Sequence, residues 1–469
     1  MGEEQAEPVS DKGAEGDSEA EALATLALAD VGAEVAGFIA GIDSLLTSVG
    51  PVMFGLQATE RDAADRFRDY AKKYGAVTEE DDKGTAYRFL PPYDARAGRL
   101  SKKVGQADTA VALVPRIFVL ALVGQFDAFL GRLLRAMFLM RPEMMANSER
   151  TLTLAQLLDV GSVEGAAEYI LDKEIETVLR KSRTEQFSWM ESKFDVKLRS
   201  GLDSWPTLIE VTERRNLFAH TDGVVSEQYL AVCRNNGVSV DGTCTKGTEL
   251  EVTPEYFRNV HACHFEVGVK LSQVLWRKLC PDQVDGADSN LVDVTFELIV
   301  DNRLDLAREL LDFALSKPMK HGSAQSRLIL TVNRAQAYKW SEDESRCREI
   351  IDAEDWSACG PEFRLAVSVL RDDFAGAASL MRSIGASGSP TKTDYQEWPL
   401  FKEFRKSSEF LDVYEQVFDE PFVHIEKTVR DDEDQRRKNA FERLREMMER
   451  EAAAEEDDPT DGGEAPGRA

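Results

Sequence analysis

The chain has 469 residues, 43% of them hydrophobic, and a formal net charge of −28 from 57 Lys and Arg against 85 Asp and Glu. That length admits two or three domains, and that apolar share is enough for a packed core, which excludes a wholly disordered protein. The acidity opposes long-range attraction to a polyanion, so a nucleic-acid partner requires the charge to be unevenly placed.

Residues 1–21 are acidic and rich in Ala, Gly and Ser, with neither the basic start nor the apolar run of a signal peptide; they read as a disordered lead. A helical region spans 22–106. Glu21 to Val49 reads as one or two Ala-rich helices, with Leu23, Leu26, Val31, Val35, Phe38, Ile39, Ile42, Leu45 and Leu46 forming an apolar stripe. Thr59 to Tyr74 reads as a charged helix, and Ala86 to Leu90 as a short extended piece ended by Pro91 and Pro92.

The next region, 107–282, opens with the longest apolar stretch, Ile117 to Leu130. It contains Gln125 and Asp127, lies between Arg116 and Arg132, and is too short and too polar to span a bilayer. No membrane partner is expected, and the localisation expected is cytoplasmic. Between Ser101 and Asp222 sixteen Lys and Arg face seventeen Asp and Glu, so this region is near neutral and its flanks carry the acidity. Arg180, Lys181, Arg183, Lys193, Lys197 and Arg199 cluster there with Phe187, Trp189 and Phe194 interleaved. The cluster suits RNA contact through phosphates and stacked bases; it suits equally a solvated helix face with its aromatics in the core.

The segment with most chemistry follows: Arg215, Asn216, Leu217, Phe218, Ala219 and His220, then Thr221, Asp222 and Gly223. Asn216 and His220 are four apart and share a helix face, so the amide can orient the imidazole. Arg215 lies about 140° round the helix from His220 and reaches it only by its long arm. Gly223 suits the residue just past a helix end, which would set His220 in the last turn, at the negative end of the helix dipole, as suits a general acid. A permanently charged guanidinium beside a histidine suits phosphodiester cleavage. The competing reading is a structural histidine with Arg215 paired to Glu213, Asp222 or another carboxylate.

This hexapeptide resembles the signature of the HEPN superfamily, all-helical domains whose Arg, polar residue and His motif marks many metal-independent endoribonucleases. The helix with Val123, Phe126, Asp127, Phe129, Leu130, Leu133 and Leu134 resembles the family's first core helix. Tyr229 to Val232, then Lys246, Gly247, Leu250, Val252, Thr253, Tyr256 and Phe257, are similar to the short extended insert and closing helix of some members. The resemblance covers roughly 107–280. It implies that two domains pair so that both motifs line one cleft, with His220 as general acid or base, Arg215 on the scissile phosphate and Asn216 in an orienting role. It gives Asp127 the place of a supporting acidic residue. It further implies an RNA substrate, a homodimer, no cofactor, and membership of a class common among bacterial toxins and antiviral defence effectors.

Six scattered cysteines read as reduced thiols. His261, Cys263 and His264, with Cys233 and Cys244 upstream, raise the question of zinc, but the histidines share a helix face that Cys263 does not and no Cys-x-x-Cys pair exists, so no metal is expected. Over 283–422, Leu304 to Leu315, Arg327 to Tyr338, Glu344 to Ile351, Phe363 to Leu370 and Ala375 to Ile384 read as short amphipathic helices. They resemble a degenerate tetratricopeptide-like array that would hold a protein partner, or else form an irregular bundle bracing the central region. A charged helix is expected within 423–454, from about Glu426 to Ala454, with Phe441, Leu444, Met447 and Met448 as a thin stripe, and a disordered acidic tail over 455–469.

The whole reads as an all-α protein: a central HEPN-like helical bundle with a short extended insert, followed by a repeat-like helical region. The leading function is metal-independent RNA cleavage. The alternatives are a non-catalytic dimerisation and protein-interaction module, and a substrate-binding subunit for a nucleotidyltransferase.

Overall fold

The computed structural model describes residues 30–81, 84–144, 151–240 and 242–423, and they form a mostly helical protein. The lead over 1–21, the helix expected at 426–454 and the tail over 455–469 lie outside the described residues. The chain divides into two compact units at 353/354.

The first unit opens with α1 (Val31–Tyr74), whose start is set by the Asp30 carboxylate accepting from Ala33 N–H at 3.1 Å. Val31, Val35, Phe38 and Ile42 recur at helical spacing and are buried. The helix runs on through Pro51, so over the described residues the helical stretches expected before Val49 and over Thr59 to Tyr74 are one. A hairpin of β1 (Ala76–Asp81) and β2 (Gly84–Arg88) follows, and the expected extended piece at 86–90 is its second strand.

Then α2 (Asp94–Met140) returns antiparallel to α1, bringing Phe38 onto Phe129 with ring centroids 4.2 Å apart and edge-on to Phe126 at 5.9 Å. It runs unbroken through 106–107, where the sequence divides an N-terminal region from a central one. By length and composition α1 and α2 each hold an 18-residue stretch apolar enough to cross a membrane, as core helices also do, with mean hydropathy 1.5 and 1.8. Only 17% and 22% of these stretches are buried.

After α3 (Leu154–Val160), α4 (Val163–Leu179) and α5 (Arg183–Phe194) comes α6 (Trp205–His220), which carries the motif. Tyr229 to Val232 correct the sequence reading: they belong to a helix, α7 (Glu227–Asn235), and not to an extended insert. Ser226 caps it by accepting from Tyr229 N–H at 3.1 Å, a local signal that outweighs the β propensity of Tyr and Val. Extended pairing falls on the flanks instead, with Val225 N–H donating to Thr248 O at 2.9 Å and Leu250 N–H to Gly223 O at 3.0 Å.

The closing helix α8 (Pro254–Leu279) crosses the core with Val260, Phe265, Val269 and Leu275 buried. A Cβ at Gly268 would stand 2.4 Å from Phe38 Cε1, so only glycine lets α8 approach α1 there. The helices α9 (Val284–Val300), α10 (Leu304–Ala314), α11 (Ala324–Trp340) and α12 (Glu344–Asp352) complete the unit. His261 and Arg303 converge on Asp43, with His261 Nε2 to Oδ1 at 2.6 Å and Arg303 Nη1 to Oδ1 at 3.1 Å, which ties α1, α8 and the α9–α10 turn together.

The second unit holds α13 (Pro361–Leu370), α14 (Phe374–Ile384), α15 (Lys392–Glu397) and α16 (Ser408–Phe418) around Tyr395, Phe401, Phe404, Phe410 and Tyr414. The turns joining α9–α10, α11–α12 and α13–α14 share one local geometry. Each has three residues with the middle one left-handed: Asn302 at φ 58°, Glu342 at φ 64° and Asp372 at φ 59°. The third donates to a carbonyl five residues back: Arg303 to Leu298 at 2.8 Å, Asp343 to Tyr338 at 3.0 Å and Asp373 to Ser368 at 2.9 Å.

Candidate functional site

The rotation of α6 is fixed from behind. Glu210 is buried and accepts from Arg214 Nε at 2.6 Å, Tyr229 Oη at 2.7 Å and Tyr256 Oη at 2.9 Å, while the Arg214 guanidinium lies 4.0 Å from the Tyr256 ring centre. Burial, reinforced by the Glu210 charge, raises both tyrosines above their ordinary range, so they stay donors. At its end, Thr221 N–H donates to Leu217 O at 2.8 Å and Gly223 N–H to the same oxygen at 3.1 Å. Asp222 (φ 51°) and Gly223 (φ 81°) are both left-handed, so the chain turns one residue sooner than Gly223 alone suggests. Arg116 of α2 clamps this turn, donating to Asp222 O at 2.8 Å and Glu249 Oε1 at 2.6 Å.

On this scaffold Arg215 donates through Nη2 to Asp127 Oδ2 at 2.7 Å and through Nη1 to Asn216 Oδ1 at 3.1 Å. The other carboxylate oxygen, Asp127 Oδ1, accepts from Arg183 Nη2 at 2.7 Å. Arg215 and Asp127 are partly open, with 29% and 28% of their side chains exposed, whereas Arg183 keeps only 3%. Asn216 does not orient His220; it is engaged by Arg215. Burial raises Glu213 above the ordinary glutamate value, opposed by the Asn216 hydrogen bond and the Arg215 charge. His220 is exposed and makes no side-chain hydrogen bond among the described residues. Arg215 and Asp127 thus meet across 88 positions of sequence, and His220 stands free at the end of the same helix.

The basic cluster does not form one surface. Arg183 is buried on Asp127, so it cannot meet RNA as expected from its place in the sequence; a charge that needs a carboxylate partner is drawn into the core by Asp127. Arg199 pairs with Glu191 and lies over Trp205, and Lys193 reaches Met144 O at 3.1 Å over the Phe138 ring. Arg180 pairs with Glu176 on an exposed turn, while Lys181 and Lys197 are exposed. Phe187 and Phe194 are buried and Trp189 is partly so, which leaves the core-facing account of these aromatics.

Among the described residues no group of three His, Cys, Asp or Glu side chains comes together as a metal-binding set. His261 is engaged by Asp43, Cys263 Sγ lies 3.7 Å from Ser204 O, and His264 Nδ1 donates to Val260 O at 2.8 Å. None of the six cysteines forms a disulfide. Burial pushes His264 down to about 4, so it is neutral at pH 7, set edge-on to Phe126 at 5.2 Å.

No protein-family model, curated protein or solved structure matches this chain. The case for the site therefore rests on its own geometry. The places of two residues, both named from the sequence, were missed. Glu213 sits on the α6 face that carries Asn216 and His220, three and seven residues on, and its helical spacing was a usable signal. The role of Arg183 had no local signal, because its partner is 56 positions away.

Proposed function

We propose that this chain is a metal-independent endoribonuclease of HEPN type, acting on RNA as a homodimer. The observation that carries the reading is the placement of Arg215 of α6 on Asp127 of α2, with His220 unpartnered and exposed at the end of the helix that bears Arg215. A guanidinium held by one carboxylate oxygen keeps further N–H groups for a phosphate, and an unengaged imidazole is available for proton transfer.

In this mechanism His220 takes the proton from a ribose 2′-hydroxyl as that oxygen attacks phosphorus. The bond from phosphorus to the 5′-oxygen breaks, and that oxygen receives a proton from the His220 imidazolium of a second copy. Arg215 holds the non-bridging oxygens as charge develops on them. The products are a 2′,3′-cyclic phosphate and a 5′-hydroxyl. A growth-arresting role in toxin or antiviral defence follows from the HEPN resemblance. The paired helices after 283 would hold a protein partner, and a cytoplasmic location completes the reading.

A second reading has its own support. Arg215 is paired with Asp127, and Asn216 serves Arg215 rather than His220, as in a structural staple of a non-catalytic interaction module. Incubating purified full-length protein with mixed cellular RNA in excess EDTA separates the two. Cleavage leaving cyclic phosphates supports the enzyme; intact RNA, with the protein dimeric, supports the module.

A further inference from the structure

We propose that Arg183 is a positioning residue for Arg215, acting through Asp127; this rests on the ribonuclease reading above and extends it into the core. Arg183 is held through both terminal nitrogens, while its Nε is buried with no hydrogen-bond partner among the described residues. It is the first residue of α5, and the preceding Ser182 forms a reciprocal cap with Glu185, the Ser182 Oγ donating to Glu185 Oε2 at 2.6 Å. Its Nη1 donates to Gln186 Oε1 at 2.7 Å, and Gln186 is anchored by donating from Nε2 to Leu179 O at 3.0 Å. Its guanidinium lies 4.8 Å from the ring centre of Phe126, the residue before Asp127.

A cation this deeply buried is costly unless a carboxylate meets it, and Asp127 does so with Oδ1 at 2.7 Å. Asp127 Oδ2 is then left for Arg215 at 2.7 Å. One carboxylate spans two guanidiniums, one locked and one half-open, so the plane of Asp127 is set by the locked one. Without Arg183, Asp127 is free to turn both oxygens to Arg215 or to solvent, and the Arg215 guanidinium loses its defined direction. Asp127 is thus a link in a three-residue chain, and α5, which contributes nothing to the motif, determines where Arg215 points.

The test uses the full-length chain with Arg183→Met, Arg183→Lys and Asp127→Asn, alone and combined. Two readouts are taken: the exchange with water of the Arg215 Nη–H protons, which meet Asp127 and Asn216, followed by nitrogen-15 NMR and assigned by its loss in Arg215→Lys, and the cleavage of RNA in EDTA. In a folded Arg183→Met protein the Arg215 signal loses its protection, and kcat falls by about 10-fold to 100-fold while KM stays within about twofold. Arg183→Lys restores part of both. Because Arg183 acts through Asp127, adding Arg183→Met to Asp127→Asn lowers kcat by less than about twofold further. Unchanged Arg215 protection in folded Arg183→Met, or full additivity with Asp127→Asn, overturns the proposal. If Arg183→Met does not fold, Gln186→Leu replaces it, since it keeps the charge and removes the anchor; reduced Arg215 protection supports the proposal and unchanged protection overturns it. Wild-type protein that leaves RNA intact would remove the ribonuclease reading alone, and the exchange measurement would still decide the role of Arg183.

Discussion

Arg215 and Asp127 are joined at 2.7 Å between α6 and α2, an ion pair that ties the motif helix to the long helix that organises the core. Asp127 also neutralises the buried Arg183 at 2.7 Å. Removing the carboxylate therefore strands a buried cation, a loss far larger than that of a surface pair. Asp127→Ala is expected to lower the stability of the first unit by about 3 kcal/mol, and Asp127→Asn by less. Urea unfolding followed by circular dichroism measures this, and a loss below about 0.5 kcal/mol for the alanine variant would contradict the pairing.

The approach of α8 to α1 depends on Gly268, where a Cβ would meet Phe38 Cε1 at 2.4 Å. Gly268→Ala is expected to cost about 1–3 kcal/mol through overpacking, and Phe38→Leu in the same chain is expected to recover part of it. Additive losses in the double variant would show that the two residues do not share the contact.

His264 gives a pH dependence with a definite sign. Burial lowers it from the ordinary value of 6.5 to about 4, so between those pH values the unfolded chain binds a proton that the folded chain does not. Stability is full above about 6.5 and falls as pH drops towards 4, by about 3 kcal/mol in total from this residue. His264→Leu should remove that part of the slope. The ring resonance of His264 should not move in proton NMR between pH 7 and about 5; a midpoint near 6.5 would contradict the burial.

Glu213 runs the other way in sign. Its folded value is raised, chiefly by burial, so its contribution to stability is present below the ordinary glutamate value and is lost as pH rises through the folded one. Glu213→Gln does not titrate. It is expected to raise the unfolding midpoint at pH 7, with the gain disappearing below about pH 4.3. A variant less stable than wild type at pH 7 would show that the Arg215 charge outweighs burial at this position.

These relationships explain what was legible in the sequence. The helical class, the stripe of Val31, Val35, Phe38 and Ile42, and the short helices near 304–314 and 344–352 follow from local periodicity. The continuity of α1 was not legible, because Pro51 reads as a boundary although its missing donor is tolerated in a helix packed along its length against α2. The extended reading of Tyr229 to Val232 comes from the family resemblance, and the Ser226 cap that makes them helical is a single hydrogen bond. Arg183 reads as a surface cation because nothing near it in the chain names Asp127 as its partner. The motif residues themselves were visible, but the diversion of Asn216 to Arg215 is a property of side-chain geometry that spacing leaves open.

The most direct test of the central claim compares wild type with His220→Ala and Arg215→Lys on one defined RNA in excess EDTA, under single-turnover conditions, with the chemistry of the new ends identified. The account predicts wild-type cleavage to 2′,3′-cyclic phosphate and 5′-hydroxyl ends, a loss of about 10³-fold or more in His220→Ala, and a loss of about 10²-fold in Arg215→Lys with the fold unchanged. Equal cleavage by all three proteins, or none by any, would contradict it.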